Sequence, residues 1–115
     1  INGDGSQAYD FIYVEDVARF NVLALKSDIA HGFYNVGTEV QTSIKTLCDL
    51  ILELKQSDLK VIYKPYSADD ARALVQNRIG SNKKAKTDLG FEFKYNLREG
   101  LNKLIQWRNA NGADQ

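Results

Sequence analysis

The run Gly3-Asp4-Gly5-Ser6-Gln7-Ala8-Tyr9-Asp10-Phe11-Ile12-Tyr13-Val14-Glu15-Asp16-Val17-Ala18 constrains the fold more than any other part of the chain. Two glycines around an acid suit a tight turn, because glycine accepts backbone angles that other residues resist. Tyr9 to Val14 is then rich in aromatic and β-branched residues, which predicts a strand. Asp16 is placed as an N-cap whose carboxylate holds the free amides of the next turn. Val17, Phe20 and Ala24, flanked by Val22 and Leu23, repeat at helical spacing and predict a helix to about Lys26. Turn, strand and helix in immediate succession point to an α/β fold.

The remaining segments extend this reading. Phe33 to Gly37 is short, apolar and bounded by glycine, which predicts a strand buried on both faces. Thr42 or Ser43 caps a second helix to about Gln56. Ile44, Leu47, Cys48 and Ile51 form its stripe, widened by Leu50 and Leu54. Leu59 to Tyr63 reads as a strand ended by Pro65, the single proline. Tyr66 to Gly80 shows no periodicity and reads as a long loop. Ser81 caps a short helix through Leu89, closed by Gly90. Phe91 to Tyr95 alternates apolar and polar residues. Asn96, with Glu99 three residues on, starts a last helix through a capping box. Leu97, Leu101, Leu104 and Ile105 face inward there, with Trp107 packing beside them. After Arg108 the tail is expected to fray.

With 115 residues, 43% hydrophobic and 26% charged, the chain suits one small globular domain. Fifteen basic and fifteen acidic side chains give no net charge, so the basic excess of a nucleic-acid footprint is missing. No apolar run is long enough to span a bilayer. Cys48 is the only cysteine, which forbids an internal disulfide and fits a reducing, cytoplasmic setting. Its place on an apolar helical face makes it a small core residue. His31 is the only histidine and falls in an exposed connection, so no set of metal ligands converges.

Three segments resemble one family. They are GDGSQAYDFIYVEDVA (3–18), GFYNVGTEVQTSIKTLCDLILEL (32–54) and NRIGSNKKAKTDLGFEFKYNLREGLNKLIQWR (77–108). Their order resembles the C-terminal half of the extended short-chain dehydrogenase/reductases, the NAD-dependent nucleotide-sugar epimerases and dehydratases similar to UDP-glucose 4-epimerase. The resemblance implies a small mixed α/β domain of about four helices and several short strands, the C-terminal part of a Rossmann-type enzyme. It implies that residues 1–115 are a substrate-binding portion whose NAD-binding domain is absent from this chain. NAD then belongs to the intact parent, and no cofactor site is expected here. The family's glycine-rich turn, G-x-x-G-x-x-G, does not occur in this sequence. Its Tyr-x-x-x-Lys acid/base pair does not occur either.

The resemblance leaves part of a nucleotide-diphosphate site. Relatives carry an arginine just before the Asp-Phe pair, where this chain has Tyr9. A phenol donates one hydrogen bond and no positive charge. Arg78-Ile79-Gly80-Ser81 resembles the family's second phosphate-gripping piece, with Ser81 in place of the acid. Arg72 lies in the same loop. Gln7, Tyr9, Arg72 and Arg78 are therefore the candidate substrate-binding residues, with no catalytic or metal residue among them. Asp10 reads as a strand-end hydrogen-bonder. Lys83, Lys84 and Lys86 read as a solvated helix face. The expected role is binding a UDP- or dTDP-sugar for a parent epimerase or dehydratase, without turnover by this chain alone. The alternative is a free-standing, self-associating module without catalysis. Loss of a partner domain would expose apolar surface and drive that association.

Overall fold

A computed structural model describes residues 1–112; Ala113 to Gln115, the end of the expected fraying tail, lie outside the described residues. The chain divides into two units. One comprises Ile1–Tyr9 and Gln41–Arg78, the other Asp10–Val40 and the described residues from Ile79 on.

The first unit is built on the opening turn. Gly3 and Gly5 both hold φ of 77°, the left-handed region that favours glycine. The chain then enters β1 (Ala8–Asp10), shorter than the strand expected to Val14. It is the centre of a three-stranded sheet of order β2-β1-β3, with β2 at Gln41–Ser43 and β3 at Asn77–Arg78. β1 and β3 run parallel, pairing Ala8 with Asn77 and Tyr9 with Arg78. Helix α2 (Ile44–Leu54) starts where expected, with Ser43 Oγ accepting from the Thr46 amide at 3.0 Å. Its free amides at Ile44 and Lys45 donate to the carbonyls of Gln7 and Gly5, at 2.8 and 3.0 Å. The glycine turn thus satisfies the start of a helix distant in sequence.

Two expectations in this unit fail. Leu59 to Tyr63 forms no strand, and Leu59 is 75% exposed. Its end lies beside Ile1 to Gly3: the Ile1 amine donates to the Ile62 carbonyl at 2.8 Å, the Lys64 amide to the Ile1 carbonyl at 2.8 Å, and Asn2 bridges Lys64 in parallel. Pairing is confined to that end, and β-composition produces a strand only where a ladder partner extends along it. Tyr66 to Gly80 is not one loop, because it holds helix α3 (Ala68–Ala73) and strand β3. Ser67 caps α3, its Oγ accepting from the Asp70 amide at 3.1 Å. With α3, five helices are present among the described residues.

The second unit holds the apolar core. Helix α1 (Val14–Lys26) begins before Asp16, with Tyr13 at the N-cap position and no side-chain cap. Phe20 on α1, Ala85 on α4 (Lys83–Leu89) and Phe91 are buried together. The Phe20 and Phe91 rings meet edge-on with centroids 5.4 Å apart. Tyr34, Val36 and Leu89 pack around them. Phe33 to Gly37 pairs in no ladder, and Phe33 is 95% exposed, against the expectation of a doubly buried strand. Helix α4 has Asn82, not Ser81, at its cap, and Gly90 closes it at φ 65°. Helix α5 (Leu97–Ala110) carries the full Asn96–Glu99 capping box and continues through Asn109 and Ala110, where fraying was expected. Trp107 is 62% exposed and does not pack beside the inner face as expected.

Asp16 is fully buried but caps no helix of its own. Its carboxylate accepts from the backbone amides of Lys94 and Tyr95, at 2.9 and 3.1 Å, and pairs with Arg19. Arg19 also donates to the Glu92 carbonyl at 2.7 Å and lies over the Phe91 ring. Together they bind α1 to the segment that leads into α5. Burial alone would raise the Asp16 carboxyl. The two amides and Arg19 outweigh it and hold the group below the usual carboxylate range.

Candidate functional site

The site lies within the first unit, where β1 and β3 run side by side. Register places Tyr9 opposite Arg78. Both line an open cavity of about 360 Å³, together with Tyr66, Asp70, Leu74 and Val75. That volume falls in the usual range for small-molecule sites. Its chemistry is mixed, with one guanidinium, two phenols, one carboxylate and an apolar wall. The guanidinium matches the oxygens of a phosphate. The carboxylate, which already accepts from Ser67 Oγ at 2.6 Å, can also accept from hydroxyls.

The four candidate residues separate. Tyr9 and Arg78 come together at the cavity. Gln7 is buried beneath the sheet start, 7% exposed, and is not among the residues lining the cavity. Its backbone carbonyl serves α2. Arg72, on α3, is exposed and faces Asp69 at 3.7 Å, also outside the lining. An exposed pair of this kind holds little energy. Tyr9 donates its hydroxyl proton to the Val75 carbonyl at 2.8 Å, which ties β1 to the cavity's far wall.

Sequence reasoning passed over Tyr66. Its hydroxyl is buried with no hydrogen-bond partner among the described residues. Desolvation pushes this phenol's pKa up, and Tyr9, Asp4 and Asp70 add to the rise. It therefore stays protonated near neutrality and is a donor. Nothing in the sequence marks Tyr66 beyond its place at the head of the aperiodic stretch.

In the second unit Asp10 is committed to structure. Its carboxylate accepts from the Thr38 amide and hydroxyl, the latter at 2.6 Å, and from the Glu39 amide at 2.8 Å. This holds Glu39 at φ 62° and aims its carboxylate at the start of α4, where it accepts from the Asn82 amide at 2.8 Å. Lys84 and Lys86, on α4, rest on Tyr34 and Glu92 at its surface. Cys48 is half-buried and His31 exposed. Among the described residues no three His, Cys, Asp or Glu side chains gather as metal ligands. No described helix is long and apolar enough to cross a membrane.

Residues 1–37 match the NAD dependent epimerase/dehydratase family. Over 96% of its length the chain superposes on a UDP-glucose 4-epimerase from Thermotoga maritima, solved with UDP-glucose, at 34% identity and a TM-score of 0.85. The chain is similar to members of this family over nearly its whole length. It spans 34% of that Thermotoga enzyme. Over 93% of its length it is 35% identical to UDP-glucuronic acid decarboxylase 1 of Danio rerio, covering 24% of that enzyme. It also matches the Bordetella bronchiseptica enzyme WbmF, solved with NAD+ and UDP, at 32% identity and a TM-score of 0.76. That match covers 95% of this chain and 31% of WbmF. The names of the Thermotoga and Danio proteins give different reactions on uridine-linked sugars, and the α/β architecture is common to the matched structures.

Proposed function

We propose that this chain contributes nucleotide-sugar binding to an NAD-dependent epimerase or dehydratase and does not turn over sugar by itself. The observation that carries the reading is the pairing of Tyr9 and Arg78 across β1 and β3 at one cavity. Arg78 neutralises a diphosphate there, and no described ion pair competes for its guanidinium. Asp70 accepts from ligand hydroxyls, and Leu74 and Val75 supply an apolar wall. A UDP- or dTDP-sugar has each of these features.

The Gly3–Gly5 turn does not fit a dinucleotide pyrophosphate. The two left-handed glycines offer no open cradle. A Cβ on Gly3 would meet Tyr66 Cε2 at 2.2 Å, and one on Gly5 would meet Lys45 Cβ at 3.1 Å. The turn also leads to a strand, not to the helix N-terminus that binds phosphate. No tyrosine in the sequence has a lysine four residues on to serve as the family's acid/base pair. Hydride chemistry accordingly belongs to residues beyond these.

The test supplies NAD with UDP-glucose, UDP-glucuronate or dTDP-glucose. Binding without product is expected. Conversion by this chain overturns the inactivity, and failure to bind any of the three overturns the site. A second reading, self-association, is favoured by the exposure of Phe33 and of Leu25, which is 85% exposed. Sedimentation should show mass rising with concentration, and Phe33→Lys with Leu25→Lys should suppress it. A clean monomer at all concentrations excludes this reading.

A further inference from the structure

The cavity has two phenols, and they are not equivalent. The Tyr9 hydroxyl donates its hydrogen bond to the Val75 carbonyl. Tyr66 has a buried hydroxyl and no acceptor among the described residues. Buried polar groups are nearly always paired, so an orphaned one asks for a reason. The ring is also specifically accommodated. It sits against Gly3, where any Cβ would collide with it, and Gly3 holds a left-handed φ. Tyr66 lines the cavity that contains Arg78.

We propose that Tyr66 is a ligand-contacting residue, whose hydroxyl donates a hydrogen bond to a phosphate oxygen of the ligand bound by Arg78. The inference rests on the nucleotide-sugar reading of this cavity and assigns it a donor. Three arguments support it. Phosphate oxygens are acceptors, and Arg78 brings them to the wall that Tyr66 forms. Burial and the oxygens of Tyr9, Asp4 and Asp70 keep the phenol protonated, so the proton is available to give. No hydrogen bond has to be broken for the hydroxyl to turn to a ligand, because it has no partner among the described residues. The orphaned hydroxyl is then a stability cost retained for binding.

The experiment compares the 115-residue chain with Tyr66→Phe and Arg78→Ala, measuring affinity for UDP and for inorganic phosphate by calorimetry, and Tm by circular dichroism. Tyr66→Phe should weaken UDP binding about ten- to hundredfold, the worth of one hydrogen bond to a charged acceptor. Its Tm should hold or rise, because an unpaired buried hydroxyl has been removed. Arg78→Ala should weaken UDP and phosphate more than tenfold. Unchanged UDP affinity in Tyr66→Phe overturns this inference while leaving the Arg78 site intact. A lower Tm in Tyr66→Phe also overturns it, because the hydroxyl then holds a structural bond. Unchanged affinity in Arg78→Ala, or no UDP binding by the unsubstituted chain, overturns the site reading and this inference with it.

Discussion

Replacing Asp16 should unfold the second unit more readily than any surface change, and the cost follows from its partners. Asp16→Ala strands the amides of Lys94 and Tyr95, both of which now donate to the buried carboxylate. Each orphaned donor costs about 1–3 kcal/mol. Arg19 also loses its carboxylate, although its bond to the Glu92 carbonyl remains. A loss of about 3–5 kcal/mol is expected, as for removal of one partner from a buried pair. That is a large share of the roughly 5–15 kcal/mol typical of a domain. Asp16→Asn keeps one acceptor and the volume, and should lose about half as much. The group also predicts a pH dependence. Its folded pKa lies below the 3.8 of a free aspartate, so its stabilisation is full above that pH and is lost as pH falls through the folded value. Urea unfolding followed by circular dichroism at about pH 7 and about pH 3 measures both effects. The gap between the unsubstituted chain and Asp16→Asn should narrow in acid. A loss below about 1 kcal/mol for Asp16→Ala at neutral pH, or a gap independent of pH, would refute the reasoning.

Two further substitutions probe the site and its support. Gly37→Ala sets a Cβ 2.4 Å from Asp10 Oδ2, a carboxylate already fixed by Thr38 and Glu39. Thermal unfolding should show a loss of about 1–3 kcal/mol; no change would mean that the carboxylate can back away. Tyr9→Phe removes the bond to Val75 and should cost about 0.5–1.5 kcal/mol of stability. It should weaken UDP binding less than Tyr66→Phe does, because only Tyr66 has a proton to give; the reverse ranking in calorimetry would exchange the roles of the two phenols.

The sequence made local features legible where a few neighbouring residues decide them. The Asn96–Glu99 box, the Ser43 cap and the Gly90 stop are interactions within one turn, and each stands where the residues placed it. Features decided by distant partners were not legible. Asp16 has the chemistry of a helix cap, but two amides nearly eighty residues away take its carboxylate. Phe33 to Gly37 has strand composition without a ladder to join, and Leu59 to Tyr63 pairs only at its end, beside Ile1 to Gly3. Helix α3 has no apolar stripe, so periodicity missed it, although Ser67 and Asp70 have a capping spacing. At the candidate cavity, the family resemblance singles out Arg78 and Tyr9, two of the lining residues. It does not single out Tyr66, because an unmet hydroxyl is a property of packing.

A nucleotide-sugar is proposed to bind at the cavity lined by Tyr9 on β1 and Arg78 on β3. The direct measurement is a titration of the isotopically labelled chain with UDP-glucose, followed by amide chemical shifts. The account predicts saturable shifts concentrated at Tyr9, Tyr66, Val75 and Arg78, abolished by Arg78→Ala. Shifts confined to other residues, or none at all, would contradict it.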